Sequence, residues 1–147
     1  MKTAVVYYSR HHGNTKKVLD AIAQRFELTL IDASETTSSD LTAYDLIGFA
    51  SGIYYSKFHK SVLKFAENNL PDMKKVFFIY TYGAEKAGYT DAIAKAVDGR
   101  ECKILGEYGC FGFNTFGPFK LIGGLAKGHP NQEELDGAVK FFEGITG

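Results

Sequence analysis

The run Ala4-Val5-Val6-Tyr7-Tyr8, followed by Ser9-Arg10-His11-His12-Gly13-Asn14-Thr15 and then by Val18, Leu19, Ile22, Ala23 and Phe26, decides the fold. Five consecutive apolar, β-favouring residues describe a strand buried on both faces. The apolar residues after the polar loop recur at the spacing of one helix face. A strand that passes directly into an amphipathic helix opens an alternating β/α chain.

The alternation continues outward from that segment. Leu28 to Ile31 reads as a second strand, and the polar stretch Asp32 to Asp40 as a surface connection. Leu46 to Ser51 is a third strand, followed by helix-spaced Phe58, Val62, Phe65 and Ala66, with Pro71 marking the exit. Val76 to Tyr80 is a fourth strand, and a short helix carrying Ile93, Ala94 and Val97 stops at Asp98-Gly99. A fifth strand lies near Lys103 to Tyr108. The last helix begins after Pro130, with Asn131 as cap and Glu134 in the capping-box position. Leu135, Ala138, Val139 and Phe142 form its inner face.

Strands separated by helices pair in parallel, because a parallel neighbour needs a crossover. Right-handed crossovers place helices on both faces, giving a three-layer, doubly wound α/β sandwich. Ligands of such sheets bind beyond the carboxyl ends of the strands, where the strand order reverses. The loops after strands one, three, four and five are therefore the candidate site.

The chain has 147 residues, enough for one domain and a core that needs no disulfide or metal. Seventeen basic residues balance 17 acidic ones, so there is no basic footprint for nucleic acid. Cys102 and Cys110 form no metal or disulfide spacing, the apolar N-terminal run is too short for a signal peptide or membrane span, and no glycosylation sequon occurs. These features lead to the expectation of a cytoplasmic protein, monomeric by default, with neither nucleic acid nor membrane as partner.

The loop after strand one is chemically an anion site. A first helical turn presents backbone N–H groups without intrahelical acceptors, and the helix dipole favours negative charge there. Ser9, Asn14 and Thr15 add side-chain donors, Gly13 allows close approach, and Arg10, Lys16 and Lys17 add positive charge. Two lysines beside a positive dipole end are easier to understand with an anion nearby. An ordinary capped helix with a basic surface is the simpler alternative. Other motifs fail: no G-x-G-x-x-G follows strand one, His129-Pro130 stands where a Walker loop needs Lys-Ser/Thr, and no G-x-S-x-G elbow exists. A receiver domain would need an aspartate where Ser51-Gly52 stands, and a phosphatase loop a cysteine after strand one. His11 and His12 have no carboxylate or thiol cluster in sequence reach, so no metal site is expected.

Gly13-Asn14-Thr15, placed between an apolar strand and a helix, resembles the S-x-T-G-N-T phosphate loop of the flavodoxins. Either the loop here is one residue longer, or Arg10 takes the serine place and His12 the threonine place. The resemblance implies a five-stranded parallel sheet of order 2-1-3-4-5 carrying flavin mononucleotide (FMN) at its carboxyl edge. It implies phosphate contacts from Ser9, Arg10, His11, His12, Gly13, Asn14 and Thr15. The loops Gly52-Ile53-Tyr54-Tyr55 and Tyr82-Gly83-Ala84, with Tyr89, would hold the ring, and at least one of Tyr54 and Tyr55 would touch it. The Phe-rich segment from Gly109 to Pro130, including Gly112 and Phe113, would pack as a small satellite core, close over the ring or meet a partner.

Two functions follow from the resemblance: an electron carrier working with a flavodoxin reductase or other redox protein, or an FMN-dependent oxidoreductase acting on a small quinone or porphyrinogen. A module that kept the fold without the flavin is a third. Flavodoxins are acidic around the flavin. Here Lys57, Lys60, Lys86, Lys120 and Lys127 face Glu85, which implies a redox partner of different charge pattern.

Overall fold

The computed structural model describes residues 1–10, 12–113 and 124–147. The strands are β1 (Thr3–Tyr8), β2 (Thr29–Asp32), β3 (Leu46–Tyr54), β4 (Lys57–Phe58), β5 (Lys75–Tyr82) and β6 (Lys103–Phe111). The helices are α1 (Asn14–Ala23), α2 (Lys60–Asn69), α3 (Asp91–Val97) and α4 (Gln132–Thr146). The long strands lie in the order β2-β1-β3-β5-β6, all parallel. This is the 2-1-3-4-5 order that the resemblance implied, once β4 is set aside.

β4 is an addition to that expectation. Two residues long, it pairs antiparallel with the end of β3, Ile53 opposite Phe58 and Tyr54 opposite Lys57. Two residues carry no periodicity to read, and Phe58, assigned by its spacing to the second helix, belongs to this strand instead. The intervening Tyr55 and Ser56 sit at φ of 52° and 66°. Consecutive left-handed residues form the primed turn that matches the twist of a two-residue hairpin, a place usually given to Asn or Gly. His59, just before α2, is its cap: its Nδ1 accepts from the Ser61 N–H at 3.1 Å.

Alternation along β1 divides the core. Ala4 and Val6 pack with Ile47, Phe49, Val76 and Phe78 beneath Val62 and Phe65 of α2 and Ile93 and Val97 of α3. Val5 faces the other way, with Ala50, Phe77 and Ile79, toward Val18, Leu19 and Ile22 of α1 and Ala138, Val139 and Phe142 of α4. Each of these large side chains contributes about 1.5–3 kcal/mol on burial. Phe26 lies beyond the end of α1 and packs on Phe142, ring centres 4.9 Å apart. Cys110 is buried in the second cluster, where desolvation pushes its thiol up to about 12 and keeps it protonated.

The capping box of α4 is present: Asn131 Oδ1 accepts from Glu134 N–H at 3.0 Å, and Glu134 Oε1 accepts from Asn131 N–H at 2.9 Å. Glu134 does more than cap. Its Oε2 accepts from the Phe111 N–H at 3.0 Å, and His129 Nδ1 lies 2.5 Å from Oε1. His129 is thus half-buried against the end of β6. Of the Gly109–Pro130 segment, Gly109 to Phe111 completes β6, and residues 114–123 lie outside the described residues.

Gly48 shows how tightly the sheet centre is packed. A Cβ there would press into the ring of Phe77, which is fully buried. Gly48→Ala is therefore expected to lower stability in urea by about 1–3 kcal/mol, the usual cost of overpacking, and Phe77→Leu in the same chain to restore part of the loss.

Candidate functional site

A cleft of about 830 Å³, open solvent included, lies at the carboxyl edge of the sheet where β1 and β3 send their connections to opposite faces. One end is built on the start of α1. Gly13 is the N-cap, at φ 65°, and its carbonyl accepts the first helical bond from Lys17 N–H at 3.0 Å. Ser9 Oγ, seven residues back, accepts from Lys16 N–H at 3.0 Å. The N–H groups of Asn14 and Thr15 have no intrahelical acceptor. Lys16 bonds Asp20 on its own helix at 2.6 Å, and that bond holds its ammonium pKa above the ordinary value. Its charge at the helix start is thus answered locally, so the sequence argument that both lysines await an anion holds at most for Lys17.

Two buried side chains tie this turn to the neighbouring strands. Thr15 Oγ1 shares a 2.8 Å hydrogen bond with Thr81 Oγ1 at the end of β5. Asn14 Nδ2 donates to the Phe113 carbonyl at 2.8 Å, just past β6. Asn14 is only 7% exposed, yet among the described residues nothing donates to its Oδ1. A buried acceptor without a partner costs about 1–3 kcal/mol. Gly112 makes this arrangement possible, since a Cβ there would sit 2.7 Å from Asn14 Nδ2.

The other end is aromatic and glycine-rich. Gly52, Ile53, Tyr54 and Tyr55 line it from the β3–β4 hairpin, and Tyr82 with Gly83 from the end of β5. Tyr54 is braced edge-on by Tyr8 (5.6 Å, 80°) and His59 (5.1 Å, 83°), which are themselves stacked at 3.7 Å. Tyr55, at the turn, is 87% exposed. Tyr82 donates its hydroxyl to Glu85 at 2.8 Å, and burial, reinforced by that bond, raises its pKa well above the usual phenol range. It stands at the cleft as a neutral ring.

Of the residues singled out in the sequence, Ser9, Arg10, Asn14, Thr15, Gly52, Ile53, Tyr54, Tyr55, Tyr82, Gly83, Gly112 and Phe113 meet at this cleft. His11 lies outside the described residues. His12 is exposed, its ring 4.5 Å from that of Phe113, and Gly13 acts as cap rather than wall. Ala84 and Tyr89 do not line the cleft: Tyr89 turns inward, 7% exposed, and its hydroxyl donates to the Ala84 carbonyl at 2.6 Å. Sequence reasoning missed Thr81, since a threonine within a strand reads as an ordinary sheet residue. Its place directly after the apolar run Val76 to Tyr80, beside the glycine loop, was the available signal.

A family model described as a flavodoxin domain matches residues 5–112. An uncharacterized protein of Methanocaldococcus jannaschii is 37% identical over 147 residues, covering 99% of this chain and 98% of the relative. Among solved structures, the two-electron reduced flavodoxin of Megasphaera elsdenii is similar at a TM-score of 0.62 and 18% identity, covering 92% of this chain and 97% of that one. A flavoprotein of Lactobacillus acidophilus, solved in complex with FMN, is similar at a TM-score of 0.56 and 20% identity, covering 74% and 92%. At these identities the two structures speak for the fold.

His59 makes the aromatic end sensitive to acid. Burial lowers its pKa from 6.5, and the neighbouring Lys60 lowers it further. Folding favours the neutral ring, so its stabilisation is complete above 6.5 and is lost as pH falls below that value. Urea midpoints measured at about pH 7.5 and about pH 5 are expected to differ less in His59→Gln than in the wild type.

Proposed function

The chain belongs to the flavodoxin family, and from that premise we propose that it binds FMN in this cleft and carries electrons between a reductase and acceptor enzymes. The observation that carries the reading is Asn14: a buried carbonyl oxygen without a donor, beside a helix start with free amide N–H groups. A ligand that presents an anion followed by hydroxyl groups meets both needs, and the terminal phosphate and ribityl chain of FMN have that order of groups. The glycines and tyrosines at the other end suit a flat ring: peptide groups reach its edge at Gly52 and Gly83, and aromatic faces flank it.

When bound, FMN supplies reversible one- and two-electron transfer. The protein's part is to hold, orient and shield. The amides of Asn14 and Thr15 receive the anion, the Thr15–Thr81 bond fixes that end against β5, and Tyr54 and Tyr82 limit water at the other. Support for a carrier over an enzyme comes from the lining: among the described residues it offers no carboxylate or imidazole to act as general acid or base. Lys57, Lys60, Lys86 and Lys127 are exposed on the surrounding loops, while Lys120 lies outside the described residues. They favour a redox partner with an acidic docking face.

Titration with FMN is expected to quench its fluorescence with a Kd of about 1 μM or below. Gly112→Ala, which displaces Asn14, should raise that Kd about tenfold or more with the circular dichroism spectrum unchanged. Unquenched FMN fluorescence would remove the reading. Steady NAD(P)H consumption with a quinone by the protein alone would replace the carrier with an oxidoreductase; the carrier requires an added reductase.

A further inference from the structure

His59 is joined twice to the aromatic end of the cleft and once to α2. Its imidazole lies flat on Tyr8, ring centres 3.7 Å apart and planes within 3°, and edge-on to Tyr54 at 5.1 Å. Its backbone N–H donates to Ser51 Oγ at 3.0 Å, and that buried hydroxyl donates in turn to the Gly52 carbonyl at 2.5 Å. Its Nδ1 caps α2 through the Ser61 N–H, with Ser61 Oγ 2.8 Å away. Tyr54 and Gly52 both line the cleft. They also lie close together, since a Cβ on Gly52 would stand 3.4 Å from the Tyr54 ring. One residue thus reaches a cleft-lining ring through its side chain and a cleft-lining peptide through its backbone.

The cap requires a neutral imidazole. Nδ1 receives the Ser61 N–H with its lone pair, so the ring proton sits on Nε2. A second proton would set two donors face to face and lose the cap. A cation there would also meet the positive end of the α2 dipole and the charge of Lys60. Around the ring, β1 supplies Tyr8 and β3 supplies Tyr54. Lys57 of β4, and Asp91 and Lys95 of α3, which packs against α2 and β4, are exposed. Among the ring contacts, the face of Tyr8 favours a cation. Burial and Lys60 outweigh it, for the pKa of His59 is lowered from 6.5. Resting on the FMN reading above, we propose that His59 is a positioning residue for the flavin ring. As a neutral imidazole it holds Tyr54 and the Gly52 peptide in place; on taking up a proton it releases both and weakens flavin binding.

The test is fluorescence titration of the full chain with FMN at about pH 7.5 and about pH 5. His59→Phe keeps a ring on Tyr8 but neither titrates nor caps, whereas His59→Asn keeps a good cap but no ring. Between the two pH values the FMN Kd is expected to rise about threefold more in the wild type than in His59→Phe. The FMN phosphate, with a second pKa of about 6, and the other histidines titrate in both chains and cancel in that ratio. At about pH 7.5, His59→Asn should raise the Kd about tenfold and His59→Phe by less. A residue needed for the α2 cap alone would give the opposite order. Circular dichroism at both pH values checks that each chain is folded. Equal rises with acid in the wild type and His59→Phe, or a weaker site in His59→Phe than in His59→Asn at neutral pH, overturn the assignment to His59 and leave the flavin cleft standing. A wild-type chain that leaves FMN unquenched at about pH 7.5 overturns the cleft reading and this inference with it.

Discussion

The enclosure of β1 is the constraint from which the rest of the molecule follows. Ala4, Val5 and Val6 are fully buried, with β2 and β3 on either edge and helices above and below. A strand covered on all sides can be apolar without interruption, and parallel neighbours oblige the chain to cross the sheet by helices. Those crossovers bring the loop after every long strand but β2 to one edge as a ligand-facing wall. Since α1 and α2 depart to opposite faces, the connections after β1 and β3 part there and leave a cleft. The location of the site is thus a consequence of topology, independent of its chemistry.

The chemistry is distributed over residues far apart in sequence and joined by few bonds. Thr15 and Thr81 are 66 residues apart, Asn14 and Phe113 are 99. Both bonds converge on the first turn of α1, so the amides at that turn are oriented by the ends of β5 and β6 as well as by their own helix. Groups fixed before a ligand arrives need little ordering when it does, which is the source of affinity in a preformed site. The unpaired oxygen of Asn14 is the counterpart of that rigidity: its amide is held by Phe113 through the nitrogen, and cannot rotate to satisfy the oxygen without giving up that bond.

Legibility from sequence followed the range of the interactions. β1, β3 and β5 were visible because burial on two faces leaves an uninterrupted apolar run, the edge strands β2 and β6 from their place in the alternation with helices, and α4 because a capping box is a local pattern. The strand order came from the resemblance, and the parallel pairing from the alternation itself. β4 escaped because its two residues have no period, and its turn uses Tyr55 and Ser56 where Asn-Gly would have signalled it. Most of the loop residues named for the site do meet at the cleft, since loop position is fixed by the sheet. Tyr89 does not, because a carbonyl five residues away captures its hydroxyl and draws the ring inward, an interaction that no composition rule announces. The Thr15–Thr81 and Arg10–Ser34 pairs depend on three-dimensional proximity alone.

Glu134 occupies an unusual position in this scheme, for its single carboxylate serves the Asn131 amide, the Phe111 amide and the His129 ring together. With the Phe113 N–H also donating to the His129 carbonyl at 2.9 Å, the chain is anchored both before residue 114 and after residue 123. Such double anchorage couples the register of β6 to the seat of α4, so that the loss of one side chain, Glu134, would loosen both at once.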